Sequence, residues 1–188
     1  GVEPKNVPIN TNDIYLDELE FLAYTAGAKS IKRFTQRLDH PNPKPYFGKG
    51  KIEEIAAYVK SNKIDCAIFD DELSPSQIRN LEEFISCKII DRSSLILDIF
   101  AKNARTAQSR TQVELAQSEY LLPRLTRMWT HLQKQKGGIG MKGPGEKEIE
   151  TDRRVIRDKI AKLKKDLAHI DNQSSTRRKN RESQFRMA

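Results

Sequence analysis

The chain has 188 residues, of which 37% are hydrophobic and 32% charged, and carries a formal net charge of +8. That length holds one sizeable domain, or one domain with an extension, and so polar a balance suits long exposed helices. No run of about 18 apolar residues is present, so no helical membrane span is expected, and the first residues lack the charged start and apolar core of a secretory leader. Cys66 and Cys87 are the two cysteines, each in a short apolar run. Small core residues in a reducing, cytoplasmic setting are expected, without a metal or redox role. The net charge is unevenly spread. Residues 1–104 hold 14 Lys and Arg against 16 Asp and Glu, a balance of −2; residues 105–188 hold 20 against 10, a balance of +10. A polyanion partner is the expectation, and nucleic acid is the commonest polyanion.

Along the first half, helical and strand-like patterns alternate. Tyr15, Leu19, Leu22 and Ala26 recur at helical spacing, with Gly27 placed to end the helix. Residues 28–38 read as an edge strand, and the three prolines between His40 and Pro45 as a loop. Ile52, Ile55, Ala56 and Val59 mark a helix. The unbroken apolar run Cys66–Phe69, bounded by Asp65 and Asp70, reads as a buried parallel strand. Ser74, Pro75 and Gln77 have the spacing of a capping box with proline in the first turn, opening a helix lined by Ile78, Leu81 and Ile85. Lys88–Asp91 reads as another strand and Ser94–Ala101 as another helix. Such alternation predicts an α/β layer with a small parallel sheet.

The second half changes character. Thr111 to Glu114 has capping-box spacing. Leu115, Leu122, Leu125, Trp129 and Leu132 then step at heptad-type intervals, as do Ile149, Ile156, Ile160, Leu163, Leu167 and Ile170 further on. Pro123 falls inside the first series, where it is expected to kink a helix. Two such seams joined by a loop predict a long antiparallel two-helix coiled-coil hairpin, with arms of about 25 residues and roughly 35–40 Å. The predicted division is an α/β domain over 1–104 and the hairpin over 105–188, its loop far from the α/β body. Residues 172–186 are polar and basic without a seam and are expected to fray.

The loop holds the densest signal in the chain. Five of the nine glycines, Gly137, Gly138, Gly140, Gly143 and Gly145, fall within nine positions. Glycine at that density weakens a helix or a strand, so it marks a mobile loop or a close backbone approach to a ligand. The stretch Gly138–Gly143 matches G-x-G-x-x-G literally. A dinucleotide fingerprint needs a strand before it and a helix straight after it; here a helical pattern precedes and Pro144-Gly145 follows, so that reading is rejected. Arg124, Arg127, His131 and Lys134 share one helical face, and Arg153, Arg154 and Arg157 open the second arm. With Lys142 and the loop glycines they could meet a phosphate backbone; the bland alternative is a solvated coiled-coil flank. Trp129 sits on the seam and reads as core. Phe47–Lys51 resembles the end of a Walker A motif, but Pro45 and Ile52 stand where Gly and Ser or Thr are required. A tight turn feeding a helix is the plain reading, and a weak nucleotide site at Gly48, Lys49, Gly50 and Lys51 the alternative. His40, His131 and His169 lack metal-ligand spacing, and no catalytic triad or carboxylate pair is evident.

Several runs resemble the HflX family of GTPases over nearly the whole chain. They are Tyr46-Phe-Gly-Lys-Gly-Lys51, Phe69-Asp-Asp-Glu-Leu-Ser-Pro-Ser-Gln77, Ile90-Asp-Arg-Ser-Ser-Leu-Ile-Leu-Asp-Ile-Phe100, Gln112-Val-Glu-Leu-Ala-Gln117, Tyr120 through Leu132, Gly137-Gly-Ile-Gly140, Gly143-Pro-Gly-Glu146 and Glu150-Thr-Asp-Arg-Arg154. Met141-Lys142 stands where the family has Thr-Arg, which keeps one cation. The resemblance implies the family's N-terminal domain and helical arm. No G-x-x-x-x-G-K-[ST] occurs, so the GTPase domain, with its GTP and Mg, is expected to lie outside this chain, which would itself hold no cofactor and no catalytic site. The family's implied partner is the large ribosomal subunit and its rRNA, in splitting stalled or idle ribosomes under stress, with the tip Gly137–Glu146 and Arg153–Arg154 approaching RNA. A monomer is expected. Two other classes stay open: a nucleotide-binding domain acting through the 47–51 turn, and a plain coiled-coil interaction module.

Overall fold

A computed structural model of the chain describes residues 1–3, 11–128 and 144–182. In chain order the elements are β1 (Val2–Glu3), α1 (Thr11–Ala26), β2 (Gln36–Arg37), α2 (Lys49–Asn62), β3 (Cys66–Phe69), α3 (Pro75–Ile85), β4 (Lys88–Asp91), α4 (Arg92–Asn103), α5 (Ala107–Met128) and α6 (Pro144–Glu182). They divide into two units, Gly1–Phe100 and Ala101–Ala188.

In the first unit β3 and β4 pair in parallel, Cys66 opposite Lys88 through Phe69 opposite Asp91, with α3 as the crossover. Side chains alternate across a strand, so this short sheet feeds two cores. Ala67, Phe69 and Ile89 pack with Ile52, Ile55 and Val59 of α2 and Leu81 and Ile85 of α3. Ile68 and Ile90 pack on the opposite side with Leu16, Leu19 and Ala23 of α1 and Leu95 of α4. The α/β class with a small parallel sheet is therefore observed. A second pair of strands, β1 and β2, is also parallel.

Local signals set several boundaries. Ser74 Oγ accepts from the Gln77 backbone N–H and the Ser74 N–H donates to Gln77 Oε1, the expected capping box. The helix α3 ends where Ser86 adopts φ 60° and donates its N–H to the Glu82 carbonyl. At the end of α1, Gly27 has φ 93°, a conformation costly for any residue with a Cβ, and its N–H reaches the Tyr24 carbonyl.

Other expectations are corrected. The covered face of α1 is Leu16, Leu19 and Ala23, with Leu22 and Ala26 beside it, while Tyr15 is half exposed. The helix is turned so that Asp17 and Glu20 both reach Arg33, Asp17 at 2.7 Å. Of residues 28–38 only Gln36–Arg37 forms a strand. Upstream of it Lys32 leaves any ladder and lies over the rings of Phe34 and Tyr58, at 4.8 and 4.6 Å. Helix α4 begins at Arg92, before Ser94, because Asp91 caps it: Asp91 Oδ1 accepts the Ser94 N–H at 2.8 Å.

In the second unit α5 starts earlier than the Thr111 signal. Thr106 and Ser109 cap it reciprocally, each side-chain oxygen accepting the other's backbone N–H, and Thr111 lies inside the helix, donating to the Ala107 carbonyl. Pro123 also lies inside α5 and does not end it. Along α6 the expected seam positions Ile156, Ile160, Leu163, Leu167 and Ile170 are covered, as are Asp152, Arg153 and Ser174; the expected seam residue Leu132 and the side chain of Ile149 lie outside the described residues. On α5, Leu115, Leu122 and Leu125 are partly covered, and Ser118 between them is buried with its hydroxyl on the Glu114 carbonyl. Helices α5 and α6 meet through Lys159–Glu114 (2.8 Å), Lys164–Glu119 (2.9 Å) and Gln108–Asp171 (2.9 Å). Residues 172–182, expected to fray, are helical, so α6 runs 39 residues.

Candidate nucleic-acid interface

The cations singled out from the sequence sit on α5 and α6 and differ in how they are held. Arg124 is half-buried. Its Cζ lies 3.4 Å from the centroid of the Tyr120 ring, and its Nη1 donates to the Tyr120 carbonyl at 2.8 Å. The ring face and the carbonyl together fix the plane of the guanidinium. Arg153 is half-buried and Arg154, one position on, is exposed. Arg157 is exposed, with Nη1 at 3.5 Å from Glu150 Oε1. Arg127 belongs to α5 and Gly145 to α6, but their surroundings lie outside the described residues, as do Gly137, Gly138, Gly140, Lys142 and Gly143, and with them Trp129, His131, Lys134 and the expected tip. Pro144 opens α6 at a position where its missing N–H costs nothing.

The second candidate, the 47–51 turn, is built differently. Tyr46 and Phe47 are buried in the core, so the turn is anchored from beneath. Gly48 is the N-cap of α2, and its N–H donates to Gln36 Oε1 at 2.8 Å. Gly50, the second residue of α2, has open space where a Cβ would be. Lys49 is almost fully exposed and lies 3.9 Å from Glu53; Lys51 is only a quarter exposed and lies 2.7 Å from Glu54, whose carboxyl it holds below the usual range. The turn thus presents one occupied N–H and two lysines that already face acids.

Sequence reasoning missed the most buried polar group. Asp91 has no exposed surface; one carboxylate oxygen caps α4 and the other accepts the Leu73 N–H at 3.2 Å. It ties the loop after β3 to the end of β4. Asp before a helical pattern is a capping signal, which the strand reading of 88–91 had masked. Beside it, Arg92 bridges Asp70 at 2.7 Å and Glu18 at 2.5 Å, joining α1 to the same end of the sheet. Both thiols, Cys66 and Cys87, are pushed up in pKa by burial, so they are poor nucleophiles at neutral pH. Among the described residues no group of three or more His, Cys, Asp or Glu could hold a metal ion, and no helix is long and apolar enough to cross a membrane.

Comparison with known proteins covers both units. Residues 13–101 match the family described as GTP-binding GTPase N-terminal, and residues 103–181 the one described as GTP-binding GTPase Middle Region. A protein of Flavobacterium psychrophilum named GTPase HflX is 61% identical over 93% of this chain and 42% of its own length. The Escherichia coli protein of the same name is 46% identical over 88% of this chain and 39% of its own. The chain therefore spans about two-fifths of the length of these relatives. A crystal structure of SsGBP in complex with GDP superposes with a TM-score of 0.61 at 22% identity, over 93% of this chain and 44% of that one. A GTP-binding protein of the archaeon Sulfolobus solfataricus, also with GDP, gives 0.56 at 21% identity over 90% of this chain and 44% of its own. These two likenesses concern the fold.

Proposed function

Because the chain belongs to the HflX family of GTP-binding GTPases, matching its N-terminal and middle regions, we propose that it binds rRNA of the large ribosomal subunit and so docks a GTP-hydrolysing protein that dissociates or rescues ribosomes. The observation that carries this reading is the charge: all the excess positive charge, +10, lies in residues 105–188, half of it on the helices α5 and α6 and the rest on Arg105, Lys134, Lys136, Lys142 and Arg186 outside them. A fold held by local ion pairs alone would balance its charges. In this reading α5 and α6 form an antiparallel coiled-coil hairpin. Its supports are the bond between Gln108 at the start of α5 and Asp171 far along α6, and the three-and-four stepping of the covered residues on α6. Gly137, Gly138, Gly140, Gly143 and Gly145 then form the tip, where backbone N–H groups come close to phosphate. Lys142, Arg127, Arg153 and Arg154 supply charge around it, and Arg124, stacked on Tyr120, presents a pre-oriented guanidinium.

GTP and Mg belong, on this reading, to a domain of the longer protein beyond this chain, where GTP hydrolysis takes place. The 47–51 turn gains no support as a nucleotide site, since Gly48 N–H and Lys51 are engaged within the fold. A plain coiled-coil module would leave the unbalanced charge without a purpose. The test is co-sedimentation of this chain with purified large subunits. Replacing Arg153→Glu together with Arg154→Glu is expected to weaken binding at least about tenfold, as two lost phosphate contacts should at moderate salt, with the circular dichroism unchanged. Undiminished co-sedimentation would overturn the reading.

A further inference from the structure

The first unit contains a cleft along its sheet. Strand β3 pairs with β4 on one edge, and no described strand pairs with the other. Residues 28–34 line the cleft opposite that edge. Among the described residues, none of the N–H groups of residues 29–35 makes a backbone hydrogen bond. Leu16, Leu19 and Ala23 of α1 close one face of the cleft, and Phe47 with Ile55 and Val59 of α2 closes the other. Both faces are therefore apolar, while both edges are polar backbone.

Gly1 stands at the end of the cleft where β3 finishes, near the charges of Asp70 and Asp71. Its ammonium donates to the Phe34 carbonyl at 2.9 Å, and its carbonyl accepts the Gln36 N–H at 3.3 Å. The Glu3 carbonyl accepts the Leu38 N–H at 2.9 Å. That alternation is a parallel ladder, and Gly1 is one of its rungs. The next rung back, the Lys32 carbonyl and the Phe34 N–H, has no backbone partner among the described residues. Burial lowers the pKa of the Gly1 ammonium from the usual 8.0 to about 6, as expected of a charge held at a place suited to a neutral amide.

Two apolar walls and two unpaired strand edges restrict what fits between them. Water would satisfy the edges and leave the walls wet. An apolar small molecule would cover the walls and leave the edges unpaired, which is costly for buried backbone. An extended peptide does both. With apolar walls on both faces its side chains form an unbroken apolar run rather than an alternating one. The four residues of β3 set its length, about four to five residues or 13–17 Å.

We propose that the cleft is a strand slot for an extended apolar segment joined ahead of Gly1, which continues the β1 ladder backwards, pairs with residues 30–34 on one side and β3 on the other, and completes a four-stranded parallel sheet. The continuity of the ladder through Gly1 favours a segment of the same chain over a separate peptide. The slot is independent of the RNA-binding reading.

The test extends this chain ahead of Gly1 by five residues, all valine and isoleucine in one form, all serine and glycine in the other. Both forms replace the ammonium by an amide, so they differ only in the chemistry offered to the slot. Amide hydrogen exchange is read at Phe34 and along Cys66–Phe69, with the urea midpoint of the first unit. The apolar extension is expected to slow exchange at these amides by at least about tenfold and to raise the midpoint, while the polar extension leaves both near those of the parent. Equal protection by the two extensions, or none by the apolar one, overturns the slot. So does an apolar extension that drives the chain into oligomers, read by light scattering, without protecting these amides.

Discussion

Tyr46 holds a left-handed backbone conformation, φ 66°, with its ring 1% exposed. That conformation costs a non-glycine residue on the order of 1–3 kcal/mol. Edge-on contacts with Phe47 and Phe69 and a 2.5 Å hydrogen bond from its hydroxyl to Asp71 Oδ2 hold it there. Burial first, and the Asp71 bond second, push the phenol well above its usual pKa of 10.0. The folded state therefore keeps the proton that the unfolded chain releases above about pH 10. The stabilisation is complete below that pH and is lost as pH rises through and beyond it. Tyr46→Phe should be less stable by about 1–2 kcal/mol at neutral pH, since Asp71 loses its donor. Its urea midpoint should then fall less steeply than that of the parent between about pH 9 and 11. Parallel curves would show that the hydroxyl contributes nothing to the alkaline limb. Asp91 likewise ties the end of the sheet, capping α4 and holding Leu73.

At the scale of elements, the caps and seams can be tested one at a time. Ser74→Ala removes one half of the α3 capping box and should cost about 1 kcal/mol, read as a lower urea midpoint at unchanged m-value. Leu163, 8% exposed, is the best-covered seam residue of α6 among the described residues, and Leu163→Ala should cost about 2–3 kcal/mol in the second unit. A loss below about 0.5 kcal/mol would mean that α5 and α6 do not stabilise each other through this seam. Which elements were legible follows from where their signals lie. β3, α3 and the α6 seam announce themselves within a few residues, by an apolar run between aspartates, a capping box and a heptad step. The face of α1, the short β2 and the start of α5 were less readable, because partners distant in sequence or competing caps decide them. Ile68, Ile90 and Leu95 select the Leu16, Leu19 and Ala23 face of α1, Lys32 leaves the ladder for two rings, and the Thr106–Ser109 pair starts α5 ahead of Thr111. Of the candidate interface, the identity of the cations was legible but not their state. Only the packed helices show Arg124 stacked on Tyr120 and Arg154 more open than Arg153. The helical run 172–182 had no apolar period to reveal it.

For the molecule as a whole, the chain divides its charge between two units, a nearly neutral α/β unit with a core on each face of its sheet and a strongly basic helical unit. On the proposed account the first is a scaffold and the second meets the polyanion, so affinity resides in phosphate neutralisation and falls with salt. The deciding measurement is the binding of this chain to purified large ribosomal subunits across a salt series. The account predicts tight binding at low salt and a linear fall of log K with log salt, each neutralised phosphate contributing a slope of about 0.7 to 0.9. Absence of binding at low salt, or binding indifferent to salt, would contradict it.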